Sequence, residues 1–156
     1  MSLASVKEFF HNLGRENDIL EFPVSSATVA LAAEAVGTEP ARIAKTLSFM
    51  TPDGPILVVA AGDTKVDNRK FKDTFHCKAT FLTPEQVLEY TGHPIGGVCP
   101  FALATPVPVF LDESLRRFET VFPAAGSANS AIELSPAELE GVCEGSRWVT
   151  VCKIPE

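Results

Sequence analysis

The sequence predicts an α+β fold in which helices flank a curved, mixed β-sheet. Helical and strand-like segments follow one another without strict alternation, which disfavours a regular repeat of βαβ units. The chain has 156 residues, the size of one ordinary domain, so we expect a single domain over residues 1–156. Hydrophobic residues make up 46% of the chain, enough to build a proper core.

The first half of the chain predicts two helices, a short strand and a β-hairpin. Apolar residues recur at helical spacing from Val6 onward and stop before Gly14. Ser25 and Ser26 are candidate N-caps of a second helix, which ends at Gly37. In order, we predict a helix over 6–13, a strand over 18–22, a helix over 29–36, a turn over 40–43, and strands over 45–50 and 56–61 around the turn 51–55.

The second half mixes short helices and strands. Thr83 and Ser135 each begin a capping-box pattern that marks the start of a helix. Pro106 and Pro108 predict that the strand over 107–111 is an edge strand or a bulged one, because proline lacks an N–H donor. The predicted order is a helix over 66–75, a strand over 78–82, a helix over 84–91, the strand over 107–111, a helix over 112–117, strands over 120–122 and 132–134, a helix after 135 and a final strand over 147–153.

A glycine-rich loop over residues 92–101 is the most informative segment. Its three glycines and two prolines exclude a regular helix or a central strand. It also carries Ile95, Val98 and Phe101, which is unusual for a solvated linker. Such a loop presents backbone groups to a ligand, or it is a structural turn packed on the core. Within it, Gly96 and Pro100 bound a Gly-x-x-x-Pro pattern.

Lys45 is the second candidate. Residues two apart in a strand share a face, so Lys45 lies with Leu47 and Phe49 on a buried face, at the beginning of a strand. A lysine at the rim of an apolar cavity can hold a phosphate or a polarised carbonyl. The alternative is a lysine that extends its ammonium group to water.

A second loop of small residues, 126–130, is the third candidate. Ser127 and Asn129 offer hydrogen-bonding groups there, while the small neighbours leave room for a ligand. An ordinary polar turn has the same composition.

The charge distribution limits the partners. A net charge of −7 disfavours a protein that coats long stretches of DNA or RNA. One local basic run exists, interleaved with three aspartates, and we interpret it as a mixed solvated face that leaves contact with one end of a nucleic acid possible. The run comprises Lys65, Arg69, Lys70, Lys72, His76 and Lys78. No apolar run approaches the roughly 18 residues of a membrane span, and no secretory signal is evident, so we expect a cytoplasmic protein.

The histidines and cysteines predict neither a metal nor a cofactor. The three histidines are scattered, and no cysteine pair has the C-x-x-C spacing. Cys77, Cys143 and Cys152 are typical of small core residues in a reducing compartment. Cys99 lies in the glycine-rich loop, where His93 is a candidate base for a thiol nucleophile.

Lys45, the glycine-rich loop and the second loop follow one another along the chain in the pattern of a known family. They resemble the YbaK/ProX family of free-standing aminoacyl-tRNA deacylases, which is similar to the editing domain of bacterial prolyl-tRNA synthetases. The resemblance extends from about Ser25 to Lys153. The segments that carry it are 27–29 with 32–33 leading to Gly37, 43–47, 61–63, 92–101, and 125–126 with 132–134.

The resemblance implies a barrel-like sheet and hydrolysis of the ester of a mischarged aminoacyl-tRNA without a protein nucleophile, metal or cofactor. Water, the terminal ribose hydroxyl or the substrate's own thiol takes part instead. It implies as partners the acceptor end of aminoacyl-tRNA and a possible synthetase, and neither a membrane nor DNA. The implied catalytic set is Lys45, Gly96, Gly97 and Pro100. The implied substrate-binding set is Thr28, Leu47, Val98, Cys99, Gly126, Ser127 and Asn129.

Two departures from the family pattern bear on specificity. Cys99 stands where the family commonly has serine, and residues 128–130 lack the basic pattern of the cysteine-specific branch. We therefore expect a small amino acid on a prolyl-type tRNA and do not carry over specificity for a cysteinyl ester. Two alternatives stay open: a non-catalytic module that binds an aminoacyl-nucleotide or a synthetase, and a thiol enzyme that uses Cys99 with His93.

Overall fold

Helices flank a curled, half-barrel sheet of five strands in the computed structural model of the protein, which describes residues 2–155. This confirms the predicted α+β class with a barrel-like sheet. The helices are α1 (Ser2–His11), α2 (Val29–Val36), α3 (Asn68–Phe75), α4 (Pro84–Thr91) and α5 (Pro136–Val142). Short 3-10 helices lie at Glu16–Asp18, Pro40–Arg42 and Glu113–Arg117.

The strands form one mixed sheet and two small ladders. They are β1 (Ile19–Glu21), β2 (Ile43–Thr51), β3 (Gly54–Ala61), β4 (Lys65–Val66), β5 (Val109–Asp112), β6 (Phe122–Pro123), β7 (Ser130–Ile132), β8 (Arg147–Val149) and β9 (Cys152–Lys153). The five-stranded sheet has the order β6-β2-β3-β5-β8, while β1 pairs with β7 and β4 pairs with β9. Only the β2–β3 hairpin is antiparallel within the described part of the large sheet.

The two faces of the β2–β3 hairpin carry separate hydrophobic clusters. Ala44 belongs to a first cluster with Cys99 and Phe101 from the glycine-rich loop. Phe49 belongs to a second cluster with Phe71 of α3. Because side chains alternate along a strand, Lys45 shares the face of Phe49, and Thr46 shares the face of Ala44. This alternation decides what each residue of β2 can reach.

Local sequence signals explain the helix starts. The predicted capping boxes of Thr83 and Ser135 both form, with Gln86 and Glu138 returning their side chains to the cap N–H. The N-cap of α2 is Thr28, whose hydroxyl accepts a hydrogen bond from Leu31 N at 3.2 Å, so the predicted serine caps are wrong. Gly37 ends α2 in the left-handed conformation, with φ of 83°.

Three strand predictions need correction. Strand β5 lies inside the sheet, between β3 and β8, because Pro106 and Pro108 precede it and do not interrupt its ladder. The predicted final strand over 147–153 is divided into β8 and β9, which belong to different sheets. The predicted strand over 78–82 contributes a single bridge, between Phe81 and Phe49, and hydrogen bonds from residues 80–82 to β2.

Candidate active site

A cavity of about 180 Å³ lies between β2, the beginning of α2 and the two loops of small residues. Its polar groups come from serine, threonine and lysine, and the rest of its surface is apolar. The lining residues are Ser26, Ala27, Thr28, Val29, Ala32, Ile43, Ala44, Lys45, Thr46, Ser48, Val87, Ile95, Gly96, Val98, Phe122, Ala124, Ser130 and Ala131. Of the predicted site residues, Thr28, Lys45, Gly96 and Val98 line it.

The edge of β2 beside this cavity is incompletely paired. Strand β6 pairs with Ile43 and Ala44, and the segment 80–82 bonds to β2 through Ser48 and Met50. Between these contacts, the backbone edge at Thr46 has no strand partner within residues 2–155. Ser48 O and Met50 N point outward to that segment, so alternation directs the N–H and C=O of Thr46 outward as well. The cavity therefore offers a ligand an open stretch of strand edge.

The two loops pack against each other and close one side of the cavity. Gly96 has φ of 94°, a left-handed conformation that favours glycine, and a Cβ there would lie 3.0 Å from Ala27 Cβ. A Cβ on Gly97 would lie 2.7 Å from the Cα of Ser127 and 2.8 Å from the carbonyl carbon of Gly126. Gly97 is thus required by the close approach of other backbone, and Gly96 by its positive φ together with the nearby Ala27 side chain, which explains the Gly-Gly pair.

Lys45 is the third residue of β2, and its side chain is half-buried. Its ammonium group donates a hydrogen bond to the carbonyl oxygen of Thr64. Burial lowers the pKa of Lys45, and the neighbouring Cys152 and Asp63 oppose this shift. Lys45 therefore lines the cavity, while its ammonium group is directed to Thr64 on the face of β2 that it shares with Leu47, where it is partly removed from water.

Several other predicted residues lie outside the cavity lining. Leu47 packs against the second hydrophobic cluster, on the opposite face of β2 from Thr46. Pro100 is buried behind the loop, where its carbonyl accepts a hydrogen bond from the Cys143 thiol at 3.8 Å. These residues support the walls of the site and do not face the space inside it.

Cys99 and His93 lie next to each other in the core behind the loop, and both are fully buried. The Cys99 Sγ is 3.5 Å from His93 Nε2, and that nitrogen lies 2.8 Å from the carbonyl oxygen of Phe101. Burial raises the pKa of the Cys99 thiol and lowers the pKa of His93. A neutral thiol without access to solvent is a poor nucleophile, so this geometry disfavours the thiol-enzyme hypothesis.

The polar groups of the second loop bind the loop itself. The Ser127 hydroxyl lies 2.9 Å from Asn129 Oδ1 and 2.6 Å from the Ser130 hydroxyl. The Asn129 amide donates to the carbonyl oxygen of Phe22 at 3.1 Å. Ser130 lines the cavity and Ser127 does not, so the loop supplies a different hydroxyl from the one expected.

The residues that the sequence analysis missed are mainly Ala44, Thr46 and Ser48 on β2. They alternate with Lys45 and Leu47 along the strand. The same period of two that pointed to Lys45 therefore places these three residues together on the other face of β2. Ser26 and Thr46 carry buried hydroxyls with no protein partner among the described residues, which leaves them available to a ligand or to water. The sequence analysis named Ser26 only as a candidate helix cap and did not name Thr46.

Residues 2–155 contain neither a candidate metal site nor a membrane-spanning helix. No three His, Cys, Asp or Glu side chains in residues 2–155 come together as a possible metal site. None of the helices in this part has the length and apolar character needed to cross a membrane.

Comparison with known proteins places this geometry in a family. The chain is 57% identical to the uncharacterized protein YwhH of Bacillus subtilis (strain 168) over 154 residues, which cover 98% of each chain. It is 29% identical over 89 residues to the proline–tRNA ligase of Levilactobacillus brevis, a match that covers 55% of this chain and 15% of the ligase. The chain thus spans about one seventh of that ligase.

A solved structure described as "a putative trans-editing enzyme for prolyl tRNA synthetase" matches the fold with a TM-score of 0.88 and 31% identity, over 97% of both chains. The sequence profile of the Aminoacyl-tRNA editing domain family matches residues 24–142, which include the whole cavity lining. The chain therefore belongs to the Aminoacyl-tRNA editing domain family.

Proposed function

We propose that this protein hydrolyses the ester bond of a mischarged aminoacyl-tRNA in trans, removing a small amino acid from a prolyl-type tRNA. The observation that carries this proposal is the small cavity between β2 and the two interlocked loops, in a chain of the editing-domain family. The matching structure described as a trans-editing enzyme supports action in trans.

The size of the cavity supports a small aminoacyl group. A cavity of about 150 Å³ in another protein holds a benzene molecule, so about 180 Å³ suits a short side chain with its ester. Ala32, Ala44 and Ala131 line it and keep the walls close to the backbone. Exclusion by size alone discriminates by about 1–3 kcal/mol per methylene group, so neighbouring amino acids of similar size remain partial substrates.

Lys45 is the residue we assign to the reacting end of the substrate. In the free protein its ammonium group is bonded to Thr64 O, a neutral acceptor. A phosphate or a polarised ester carbonyl is a stronger acceptor for a cationic donor, so substrate would replace Thr64 as the partner. In this role Lys45 stabilises negative charge and takes no covalent part.

The backbone of the glycine-rich loop is the second element of the proposed mechanism. Gly96 and Val98 line the cavity, and the loop cannot shift away because Gly97 is packed against the second loop. Preorganised backbone groups of this kind orient an ester and its terminal ribose at little further entropic cost. The open edge at Thr46 offers additional backbone donors and acceptors on the opposite wall.

The nucleophile in this proposal does not come from a protein side chain. Cys99 is buried behind the loop, and the lining contains no histidine or carboxylate. The family resemblance implies water, the terminal ribose hydroxyl or a thiol of the substrate itself as the attacking group, and no histidine or carboxylate in the described lining could activate one of its serine or threonine hydroxyls. The protein contributes position and charge stabilisation.

The test is a deacylation assay with alanyl-, cysteinyl- and seryl-tRNA of the prolyl type, with and without prolyl-tRNA synthetase. We expect turnover of one ester and a fall in kcat/KM of about 100-fold or more for Lys45→Ala. Lys7→Ala is the matched control, because Lys7 forms an ion pair with Glu21 at 3.0 Å outside the cavity. Melting curves verify that both variants are folded.

The same assay distinguishes a deacylase from the alternative, a non-catalytic module that only binds its ligand. If the folded wild type hydrolyses none of these esters but binds a non-hydrolysable aminoacyl-adenosine amide, the chain is a binding module and the proposed deacylase is wrong. If Lys45→Ala retains full activity, the role assigned to Lys45 is wrong while the activity stands.

A further inference from the structure

Two lysines face each other across the small β4–β9 ladder. Lys65 and Lys153 are direct partners in the antiparallel register, and both are exposed. The neighbouring pair, Val66 and Cys152, packs against the second hydrophobic cluster, so the lysines lie on the outer face. Like charges directly opposite in a ladder are destabilising. The fold therefore keeps two positive charges directly opposite each other here, at a cost in stability.

Two further lysines lie beside this pair, Lys70 on the side of α3 and Lys45 on the side of the cavity. Lys70 lies in the first turn of α3, where its backbone N–H donates to Asp67 Oδ1 at 3.1 Å. Backbone hydrogen bonds lower the pKa of Asp67, and Lys70 and Lys153 lower it further, so both ammonium groups lie near this carboxylate. On the inner side, Lys45 donates to Thr64, the residue immediately before Lys65. We call Lys65, Lys70 and Lys153 the lysine patch.

Nearby carboxylates offset the charge of the patch only in part, through the attraction of Asp67 for Lys70 and Lys153. Asp63 forms hydrogen bonds of 2.6 and 3.1 Å with the guanidinium of Arg117, and Asp67 caps α3. None of the three patch lysines forms an ion pair with a carboxylate within residues 2–155, which also holds for Lys45, Arg69, Lys72, Lys78 and Arg147, whereas six other cations there are paired. The paired cations are Lys7, His11, Arg15, Arg42, Arg116 and Arg117.

We propose that the lysine patch binds the phosphodiester backbone of the tRNA acceptor arm, whose 3′ end reaches the cavity past Lys45. This inference rests on the proposed function and assigns the surface that holds the rest of the substrate. A chain of net charge −7 repels RNA in general, so a local patch continuous with the cavity is needed to bring the acceptor end in. Phosphates between Lys65 and Lys153 also relieve the repulsion between the two ammonium groups.

RNA fits this surface better than an acidic protein. The patch is a row of exposed, flexible ammonium groups with no apolar side chain between Lys65 and Lys153 on the outer face of the ladder. Protein interfaces bury an apolar centre and are depleted in lysine, whereas phosphate backbones are bound by isolated lysines. The patch also lies beside the cavity, since Lys45 lines the cavity and donates a hydrogen bond to Thr64, the residue before Lys65.

The primary test measures binding of a fluorescein-labelled, uncharged RNA minihelix with the acceptor stem of a prolyl tRNA. The variant is Lys65→Gln with Lys153→Gln, and Lys7→Gln is the control of equal chemistry at a paired lysine. We expect weaker binding by the double variant, with a slope of log Kd against log salt that is flatter by about 1.4 to 1.8 for two lost phosphate contacts. Equal affinity and equal slope in the double variant and the wild type would overturn the proposal.

A second measurement separates this proposal from the proposed function. The same proteins are assayed on the aminoacylated minihelix and on aminoacyl-adenosine, which has no phosphate. We expect the double variant to lose kcat/KM on the minihelix only, and to melt no lower than wild type because a repulsive pair is removed. Equal loss on both substrates without a change in melting temperature would assign the lysines to the chemistry and overturn the patch. If the wild type hydrolyses neither substrate, the proposed function fails, while the minihelix titration still decides the patch.

Discussion

Gly97 and Ser127 are in backbone contact, and any side chain at Gly97 would meet the Cα and N of Ser127 at 2.7 Å. Neither atom belongs to a flexible side chain, so the contact can be relieved only by moving one loop. The pair therefore locks the glycine-rich loop to the second loop, and through it fixes one wall of the cavity.

Gly97→Ala is expected to separate the two loops. The forced shift should lower the free energy of unfolding by about 1–3 kcal/mol and reduce deacylation, because the cavity wall moves with the loop. Urea unfolding and the ester assay measure the two effects. Gly141→Ala is the control, since Gly141 lies in α5 with no atom within 4 Å of a new Cβ, and it should stabilise by up to about 1 kcal/mol. A Gly97→Ala protein with the stability and activity of wild type contradicts the interlocked loops.

Cys99→Ala is expected to retain the ester-hydrolysing activity. The thiol is buried, burial raises its pKa, and it lies behind the loop outside the cavity lining. The ester assay measures the activity of this variant.

In the native protein a thiol reagent should modify Cys77 first, because Cys77 is partly exposed while Cys99, Cys143 and Cys152 are buried. Mass spectrometry after brief alkylation measures this order. Rapid alkylation of Cys99 together with loss of activity would restore the thiol-enzyme hypothesis.

The stability of the protein should fall as the pH drops below the usual pKa of histidine, in part because of His93. Burial lowers the pKa of His93 in the folded state, so below pH about 6.5 the unfolded chain binds a proton that the folded chain does not. The contribution is complete above that pH and is lost on acidification, with a slope of at most about 1.4 kcal/mol per pH unit. Unfolding of wild type and His93→Gln between pH 5 and 7 measures the difference. Parallel pH profiles would show that His93 is not buried as the neutral form.

Asp112→Ala is expected to destabilise the C-terminal strands. The buried carboxylate accepts hydrogen bonds from Val151 N at 2.9 Å, Cys152 N at 3.2 Å and Ser114 N at 3.0 Å. Its removal leaves three backbone donors without an acceptor, which should cost about 3–5 kcal/mol. Chemical denaturation measures the loss, with Asp53→Ala in the exposed β2–β3 turn as the control. A loss below about 1 kcal/mol would mean that water replaces the carboxylate.

Local signals in the sequence were sufficient where a few neighbouring residues decide the structure. The capping boxes at Thr83 and Ser135 formed because cap and partner lie three residues apart and need nothing else. The β2–β3 hairpin followed from its apolar strands and its turn. At α2 three hydroxyl residues compete within four positions, and the tertiary contacts of Ser26 with the second loop left Thr28 as the cap.

Long-range contacts explain what the sequence could not predict. The segment 147–153 has a continuous strand pattern, yet the Asp112 carboxylate binds Val151 N and Cys152 N and separates β8 from β9. Nothing near Asp112 in the sequence indicates that its partners lie about 40 residues away. At the candidate site, the alternation of β2 places Thr46 and Ser48 on the face opposite Lys45, but only the packing of the loops against that face shows that it lines a cavity.

The gap in the pairing of β2 gives the free protein a local weak point with a measurable signature. The N–H of Thr46 points to neither β3 nor a second strand, so its proton should exchange with solvent deuterium faster than those of its neighbours Lys45 and Leu47, which are paired with Ala60 and Val58. An open edge with a single outward-facing residue is too short to recruit another chain by strand addition. A ligand in the cavity would slow this exchange, which makes the Thr46 amide a built-in reporter of occupancy that requires no catalytic turnover.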